Sequence, residues 1–265
     1  MLRALAGGSL FGESWGPPPA RVLALHGWER THEDYRPLFG DARDPVGVVA
    51  PDLPGFGATP PPPQPWGSAQ YADALCSLFA EPRPAGDDGA APPGTLLAPA
   101  VVVGHSFGGR VAVALAAEHP ELVAALVLTG VPLLPRRGGK KKVAPGYRLV
   151  RTLRRARLVS EQRLEWARQR YGSADYRRAQ GVMRGVLVTL LAEHYEDRLA
   201  RLQCPVELVW ADDDIEAPLD VALRVEELVP QAVLTRCGPV GHLTPSTAPS
   251  VLRQAVDRAL STVSG

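Results

Sequence analysis

The sequence predicts an α/β protein built on a mostly parallel, doubly wound sheet that carries a helical insertion. Short apolar runs bounded by turn residues alternate with longer amphipathic runs, as expected when helices cover a sheet on both faces. The alternation stops between 133 and 203, where helical patterns follow one another without a good strand. A chain of 265 residues is long enough for one sizeable core and such an insertion.

The strand runs are 21–25 (RVLAL), 46–50 (VGVVA), 100–103, 125–129, 206–210 and 232–235. Between them, Ser68 is placed to cap a helix in which Tyr71, Leu75, Leu78 and Phe79 share one face. Residues 108–118 are rich in alanine and valine, as suits a helix lying close on a sheet, and 218–229 and 249–263 are amphipathic. In the insertion, 160–171 and 173–202 read as helical. Proline and glycine concentrate at 54–67, 82–99 and 130–146, which therefore read as loops, 82–99 as a mobile surface loop. The expected organisation is a core domain of 1–132 and 204–265 with a helical lid of 133–203.

Composition narrows the function. Apolar residues at 45% and charged residues at 22% suit a folded globular chain rather than a disordered one. A formal net charge of +1 provides no overall field for nucleic acid. Cys76, Cys204 and Cys237 lie far apart without metal-type spacing. They read as free thiols of a cytoplasmic protein, with room for one disulfide at most. Glycines and Glu13 interrupt the amino-terminal MLRALAGGSLFGESWG, which makes a poor signal peptide. No run approaches the roughly 18 apolar residues of a membrane span.

The most informative segment is Ala100-Val-Val-Val-Gly-His-Ser-Phe-Gly-Gly109. An apolar strand runs directly into G-x-S-x-G, and a helix follows, which is the context of a nucleophile elbow. So sharp a turn strains the serine backbone and admits only small neighbours. Gly104 and Gly108 supply the room, and Gly109 lets the helix pack closely. Ser106 is therefore the candidate nucleophile.

A hydroxyl is a weak nucleophile, so it needs a base, and the base needs an orienting acid. After the elbow, strand 206–210 runs into Ala-Asp-Asp-Asp-Ile-Glu-Ala-Pro, where Asp212, Asp213 and Asp214 are all candidate acids. Strand 232–235 runs into Cys-Gly-Pro-Val-Gly-His, which makes His242 the candidate base. The other histidines fit less well: His105 adjoins the serine and is expected to point away, and His26 lies in the first loop. An oxyanion hole needs two backbone N–H groups. Phe107, after the nucleophile, and Trp28, after the first apolar strand, are placed to give them. Both side chains are expected to line the substrate pocket.

Four blocks now stand together: LALHGW (23–28), APDLPGFGATP (50–60), VVVGHSFGG (101–109), and the pair LVWADDDIEAP (208–218) with GPVGH (238–242). In that order they resemble the α/β-hydrolase superfamily, in particular its small lidded members. The resemblance implies the α/β-hydrolase fold. It selects Asp214 as the acid, because Ala211 occupies the family's glycine position and the acid follows three residues later. It makes Asp52 a structural turn residue. It requires no metal or organic cofactor. A serine at the elbow, rather than the aspartate of haloalkane dehalogenases and epoxide hydrolases, implies acyl transfer.

The expected activity is hydrolysis of a carboxylic ester or thioester of a small or medium organic acid, through an acyl-enzyme. The alternatives are a C–C bond hydrolase or lyase on the same triad, or a binding protein of this fold without turnover. Between Leu122 and Ser160 there is no acidic residue, while Arg136, Arg137, Lys140, Lys141, Lys142, Arg148, Arg151, Arg154, Arg155 and Arg157 fall inside. The plain reading is a solvated lid face; the sharper one is attraction of an anionic acyl substrate. Trp166, Met183, Val186, Leu187 and Leu190 give the lid an apolar stripe. The expected partner is a small acyl substrate, with no nucleic acid and no integral membrane association, in a monomer or homodimer.

Overall fold

The computed structural model describes residues 1–41, 43–79, 94–137, 160, 162–163 and 174–263. Eight strands form one sheet: β1 (Arg3–Leu5), β2 (Leu10–Trp15), β3 (Ala20–Leu25), β4 (Val48–Asp52), β5 (Leu96–His105), β6 (Val123–Thr129), β7 (Val206–Trp210) and β8 (Ala232–Arg236). Their order is β1-β2-β4-β3-β5-β6-β7-β8. The β1–β2 and β2–β4 pairs are antiparallel and the rest are parallel.

The helices are α1 (Arg36–Phe39), α2 (Ser68–Cys76), α3 (Phe107–Glu118), α4 (Ala174–Arg178), α5 (Gly181–Ala192), α6 (Glu196–Ala200), α7 (Leu219–Leu228), α8 (Thr244–Thr247) and α9 (Pro249–Thr262). Alternate strand residues face opposite sides. Val22, Ala24, Val48, Val101, Val103 and Val127 cluster with Phe39 of α1 and Leu252, Ala255 and Val256 of α9. Leu23, Leu25, Val102, Leu126 and Leu128 are just as buried and point to the other face, where α3 lies. Burying one such side chain contributes about 1.5–3 kcal/mol. This two-sided burial explains the unbroken apolar runs.

The sheet departs from the sequence reading in three places. β1 and β2 were not expected. Their alternation is hidden by Gly12 and by the buried Glu13, which receives Arg36 Nη2 at 2.6 Å. Gly12 is required, since a Cβ there would lie 2.3 Å from the Ala50 oxygen. Strand β4 runs two residues later than 46–50, through Pro51. Proline lacks a ladder donor, but β3 pairs no further than Val49 and requires none there. Strand β5 begins at Leu96, inside the expected loop 82–99. Its ladder with β3 shifts between Ala20↔Leu96 and Val22↔Val101, so Pro99 falls in an irregularity.

Among the helices, α2 is capped by Gly67, whose N–H donates to Gln70 Oε1 at 2.8 Å, and Ser68 is its buried first residue. Leu78 and Phe79 lie beyond its end. The expected 173–202 helix is three helices, α4, α5 and α6. Gly181, at φ +52°, begins the second of these.

The chain divides into two compact units, one of 1–61, 67–135 and 194–265, the other of 62–66 and 136–193. Segment 194–203, read from the sequence with the insertion, belongs to the first unit. Within the second, a Cβ on Gly185 of α5 would lie 2.5 Å from Pro65 Cγ, so glycine lets this helix approach the proline tract. Most of the basic run, Trp166 and most of loop 82–99 lie outside the described residues. Cys76, Cys204 and Cys237 are free thiols. No described helix is long and apolar enough to cross a membrane.

Candidate active site

Ser106 stands between the end of β5 and the start of α3, at φ +50° and ψ −111°. Such a backbone costs a non-glycine residue about 1–3 kcal/mol and persists only where the surroundings enforce it. Here the Ser106 N–H donates to the Thr129 carbonyl at 3.0 Å, and the Gly108 N–H donates to the His26 carbonyl at 3.0 Å. The glycines are sterically necessary. A Cβ on Gly104 would lie 2.5 Å from Gly109 Cα, one on Gly108 would lie 2.2 Å from the Leu25 oxygen, and one on Gly109 would lie 2.2 Å from Val131 Cγ2.

The three aspartates after β7 take separate partners. Asp212 receives Arg236 Nε at 2.7 Å. Asp213 Oδ1 accepts the Gly241 N–H at 2.8 Å and so pins the loop that carries His242. Asp214 Oδ2 lies 2.8 Å from His242 Nδ1, while its Oδ1 accepts the N–H groups of Glu216 and Ala217 at 2.8 and 2.9 Å. Burial alone would push the Asp214 carboxyl up. The His242 bond and the two backbone donors outweigh it and hold the group below the usual aspartate value.

His242 Nε2 is 3.1 Å from Ser106 Oγ. A carboxylate only accepts, so the proton on the ring sits on Nδ1 and Nε2 offers its lone pair to the serine hydroxyl. A relay of this kind can remove a proton from the hydroxyl and keep the resulting imidazolium beside a carboxylate.

The Trp28 and Phe107 backbone N–H groups are engaged by no other group among the described residues. His26 braces the Trp28 loop. Its Nδ1–H donates to the Gly27 carbonyl at 2.8 Å, and its Nε2 accepts the Leu53 N–H at 2.9 Å. The Trp28 ring meets Phe56 and Phe107 edge-on at 4.9 and 5.7 Å, and Tyr71 meets Phe107 at 5.0 Å. The result is an aromatic wall beside the elbow.

Glu13, His32 and Glu33 offer ligand-type atoms within 4.8 Å of one another. Arg36 already holds both carboxylates, at 2.6 Å to Glu13 and 2.7 Å to Glu33. The guanidinium occupies the place a cation would take.

The description "alpha/beta hydrolase family" matches residues 22–255. The chain belongs to the alpha/beta hydrolase family. Relatives named as lipases and esterases accompany it, and the chain spans 39% and 63% of the length of two of the curated relatives it matches. Lipase LipV of Mycobacterium tuberculosis is 39% identical over 117 residues, covering 44% of this chain and 39% of that protein. A pimeloyl-[acyl-carrier protein] methyl ester esterase of Chromobacterium violaceum is 29% identical over 250 residues, covering 88% of this chain and 91% of its own length. The structure of a thermophilic esterase from Thermogutta terrifontis superposes with a TM-score of 0.68 at 22% identity, covering 99% of both chains.

Within this alpha/beta hydrolase family member, sequence reasoning missed two close neighbours of the His242–Asp214 pair: Gly130, and His105, which was expected to point away but has its Nε2 2.9 Å from the His242 backbone oxygen. Gly130 follows β6 at φ +58°, and a Cβ on it would lie 3.1 Å from His242 Nδ1 and Cε1 and 3.2 Å from Asp214 Oδ2. The only signal was a glycine directly after an apolar strand. Asp52, expected as a turn residue, accepts the N–H groups of His32 and Ala58, both at 2.9 Å.

Proposed function

We propose that this hydrolase cleaves a carboxylic ester or thioester, with Ser106 as nucleophile, His242 as base and Asp214 as orienting acid. The observation that supports this most is the unbroken chain from Ser106 Oγ to His242 Nε2 at 3.1 Å and from His242 Nδ1 to Asp214 at 2.8 Å. Ser106 Oγ attacks the acyl carbonyl while its proton passes to His242 Nε2. The carbonyl π pair moves to oxygen, and the oxyanion is held by the Trp28 and Phe107 N–H groups. On collapse the bond to the leaving group breaks, and that group takes the proton from Nε2. A water then gives its proton to His242 and attacks the acyl-enzyme. The second collapse releases the acid and returns the proton to Ser106. No residue outside unit one is needed for these steps.

The test is labelling with a fluorophosphonate probe, comparing the intact chain with Ser106→Ala. Labelling of the first alone is expected; labelling that survives in the variant removes Ser106 as nucleophile. A panel of esters and thioesters then ranks the leaving groups.

An anionic acyl donor is favoured by the ten basic residues between Leu122 and Ser160, and by a relative named for an ester on an acyl-carrier protein. We assign the preference for an anionic donor to this basic run, which begins at Arg136. Rising salt is expected to lower kcat/KM for an anionic donor and to spare a neutral one. Equal responses remove the assignment. Three free cysteines favour a cytoplasmic setting.

A further inference from the structure

His105 fills the variable position before the nucleophile, and the steps above do not use it. Its residue is 1% exposed. Its Nε2 lies 2.9 Å from the backbone oxygen of His242, and the two rings stand 4.9 Å apart at a tilt of 51°. A carbonyl oxygen only accepts, so Nε2 carries the proton and donates it. Nδ1 is then a buried lone pair without a partner among the described residues. It lies against Gly27, where a Cβ would come within 2.8 Å of Nδ1 and 3.1 Å of Cε1. The ring is therefore wedged between the loop leading to Trp28 and the loop carrying His242.

His242 follows Gly241, which is at φ +72°. Its ring is tied to the protein by Asp214 and meets Ser106 on the other side. Asp213 holds the Gly241 N–H on one side of this residue, and a ring tied to the protein at one nitrogen is kept from swinging when the carbonyl of its own residue is held as well. We propose that His105 is a positioning residue, whose Nε2–H holds the His242 carbonyl and so keeps the His242 ring within reach of Ser106 Oγ.

The device works only if His105 stays uncharged beside a base that becomes an imidazolium. Burial first and the neighbouring His242 second lower the His105 pKa to about 4, against the weaker opposing effects of its bond to the His242 carbonyl and of the Asp34 and Asp214 carboxylates. The inference rests on the serine-hydrolase reading above, and the experiment separates the two.

His105→Gln, His105→Phe and His105→Asn are made in the full chain beside Ser106→Ala. Each is assayed with a p-nitrophenyl ester and by its rate of fluorophosphonate labelling. Glutamine puts an amide N–H about where imidazole Nε2 sits. Phenylalanine keeps a flat ring without a donor, and asparagine puts its donor about where Nδ1 sits. Losing the bond in His105→Phe should lower kcat and labelling rate roughly 10- to 100-fold, with KM within about two-fold. His105→Gln should recover to within about three-fold of the parent. If the phenylalanine variant does not fold, His105→Asn carries the same contrast. Parent kcat in the variants that lack a donor at the Nε2 position, equal damage in His105→Gln, or a loss confined to KM overturns the proposal while Ser106→Ala stays unlabelled. Labelling of Ser106→Ala overturns the reading beneath it.

Discussion

This chain holds two histidine–aspartate pairs of nearly the same geometry. His242 Nδ1 lies 2.8 Å from Asp214, and His32 Nδ1 lies 2.8 Å from Asp52. Both aspartates are buried, and each accepts two backbone N–H groups. The pairs differ at the far nitrogen. His242 Nε2 faces the Ser106 hydroxyl at 3.1 Å, whereas His32 Nε2 faces the carboxylates of Glu33 and Glu13 at 3.5 and 3.9 Å. A carboxylate has no proton to give at neutral pH, so the His32 pair can only hold its turn together. What lies beyond the imidazole decides whether such a pair can move a proton or merely braces a loop.

The sharpest way to break this comparison is to change each aspartate to asparagine. In Asp214→Asn the amide can donate to His242 Nδ1, which favours the tautomer whose Nε2 carries the proton. That tautomer cannot accept from Ser106. A fall in kcat of about 10⁴ is expected, with the fold retained. Burst and steady-state kinetics with an activated ester measure it. A fall below about tenfold would mean that Asp214 does not orient the base.

Asp52→Asn should do the reverse. One of its oxygens becomes an NH2 facing either the Ala58 N–H or the His32 donors, so at least one buried donor loses its acceptor. A stability loss of about 2–4 kcal/mol is expected, read as a shift of the urea midpoint. kcat per folded molecule should stay within about two-fold. A large loss of kcat with unchanged stability would make the two pairs alike.

The legible part of this molecule is where local chemistry leaves one solution. Strands buried on both faces must be continuously apolar, so β3, β5, β6 and β7 were readable as runs. The elbow was readable because a serine at φ +50° needs small neighbours, and Gly104, Gly108 and Gly109 stand where a Cβ would collide with backbone or with Val131. β1 and β2 were not, because a glycine and a buried glutamate erase the alternation that marks a half-buried strand. Gly130 and the His105–His242 contact were unreadable for another reason. Each is an approach between segments far apart in sequence, and spacing within one segment says nothing about it. The choice among Asp212, Asp213 and Asp214 lay between these cases. Three identical side chains carry no local distinction, and only resemblance singled out Asp214.

Histidines without a carboxylate partner sharpen the comparison through pH. His105 is fully buried with its pKa lowered from 6.5 to about 4 by burial, and His26 is lowered for the same reason. A depressed folded-state value means that the unfolded chain takes up the proton first. His105 therefore contributes stability that is full above pH 6.5 and is lost as pH falls toward about 4. Its share between pH 7 and pH 4.5 is about 2–3 kcal/mol. Asp214, also held below its ordinary value, adds a loss only in more acid solution. Urea midpoints at pH 7 and 4.5 should converge in His105→Gln relative to the parent, leaving the part due to His26. An unchanged acid loss would mean that His105 is charged or exposed in the folded chain.

The smallest expected effect concerns the glycines behind the two aspartates. Both adopt a left-handed backbone: Gly130 at φ +58° behind Asp214 and His242, and Gly57 at φ +52° behind Asp52. Alanine at either position costs about 1–2 kcal/mol of backbone strain, so stability alone does not tell them apart. Their methyl groups meet different neighbours. In Gly130→Ala the Cβ comes within 3.1 Å of the His242 ring, a contact tight enough to push that ring but loose enough to be relieved by a few tenths of an ångström. A small displacement along the Ser106–His242 line weakens proton transfer, and kcat should fall about tenfold. In Gly57→Ala the Cβ would stand 2.1 Å from Asp52 Oδ2, so the carboxylate must move and the turn loosens, while the relay at Ser106 is untouched. Activity per folded molecule is therefore expected to drop in the first variant and hold in the second. Active-site titration paired with thermal melts reads both quantities. Equal activity losses would show that Gly57 and its turn also support the relay, and the division between a proton-moving pair and a loop-bracing pair would fail.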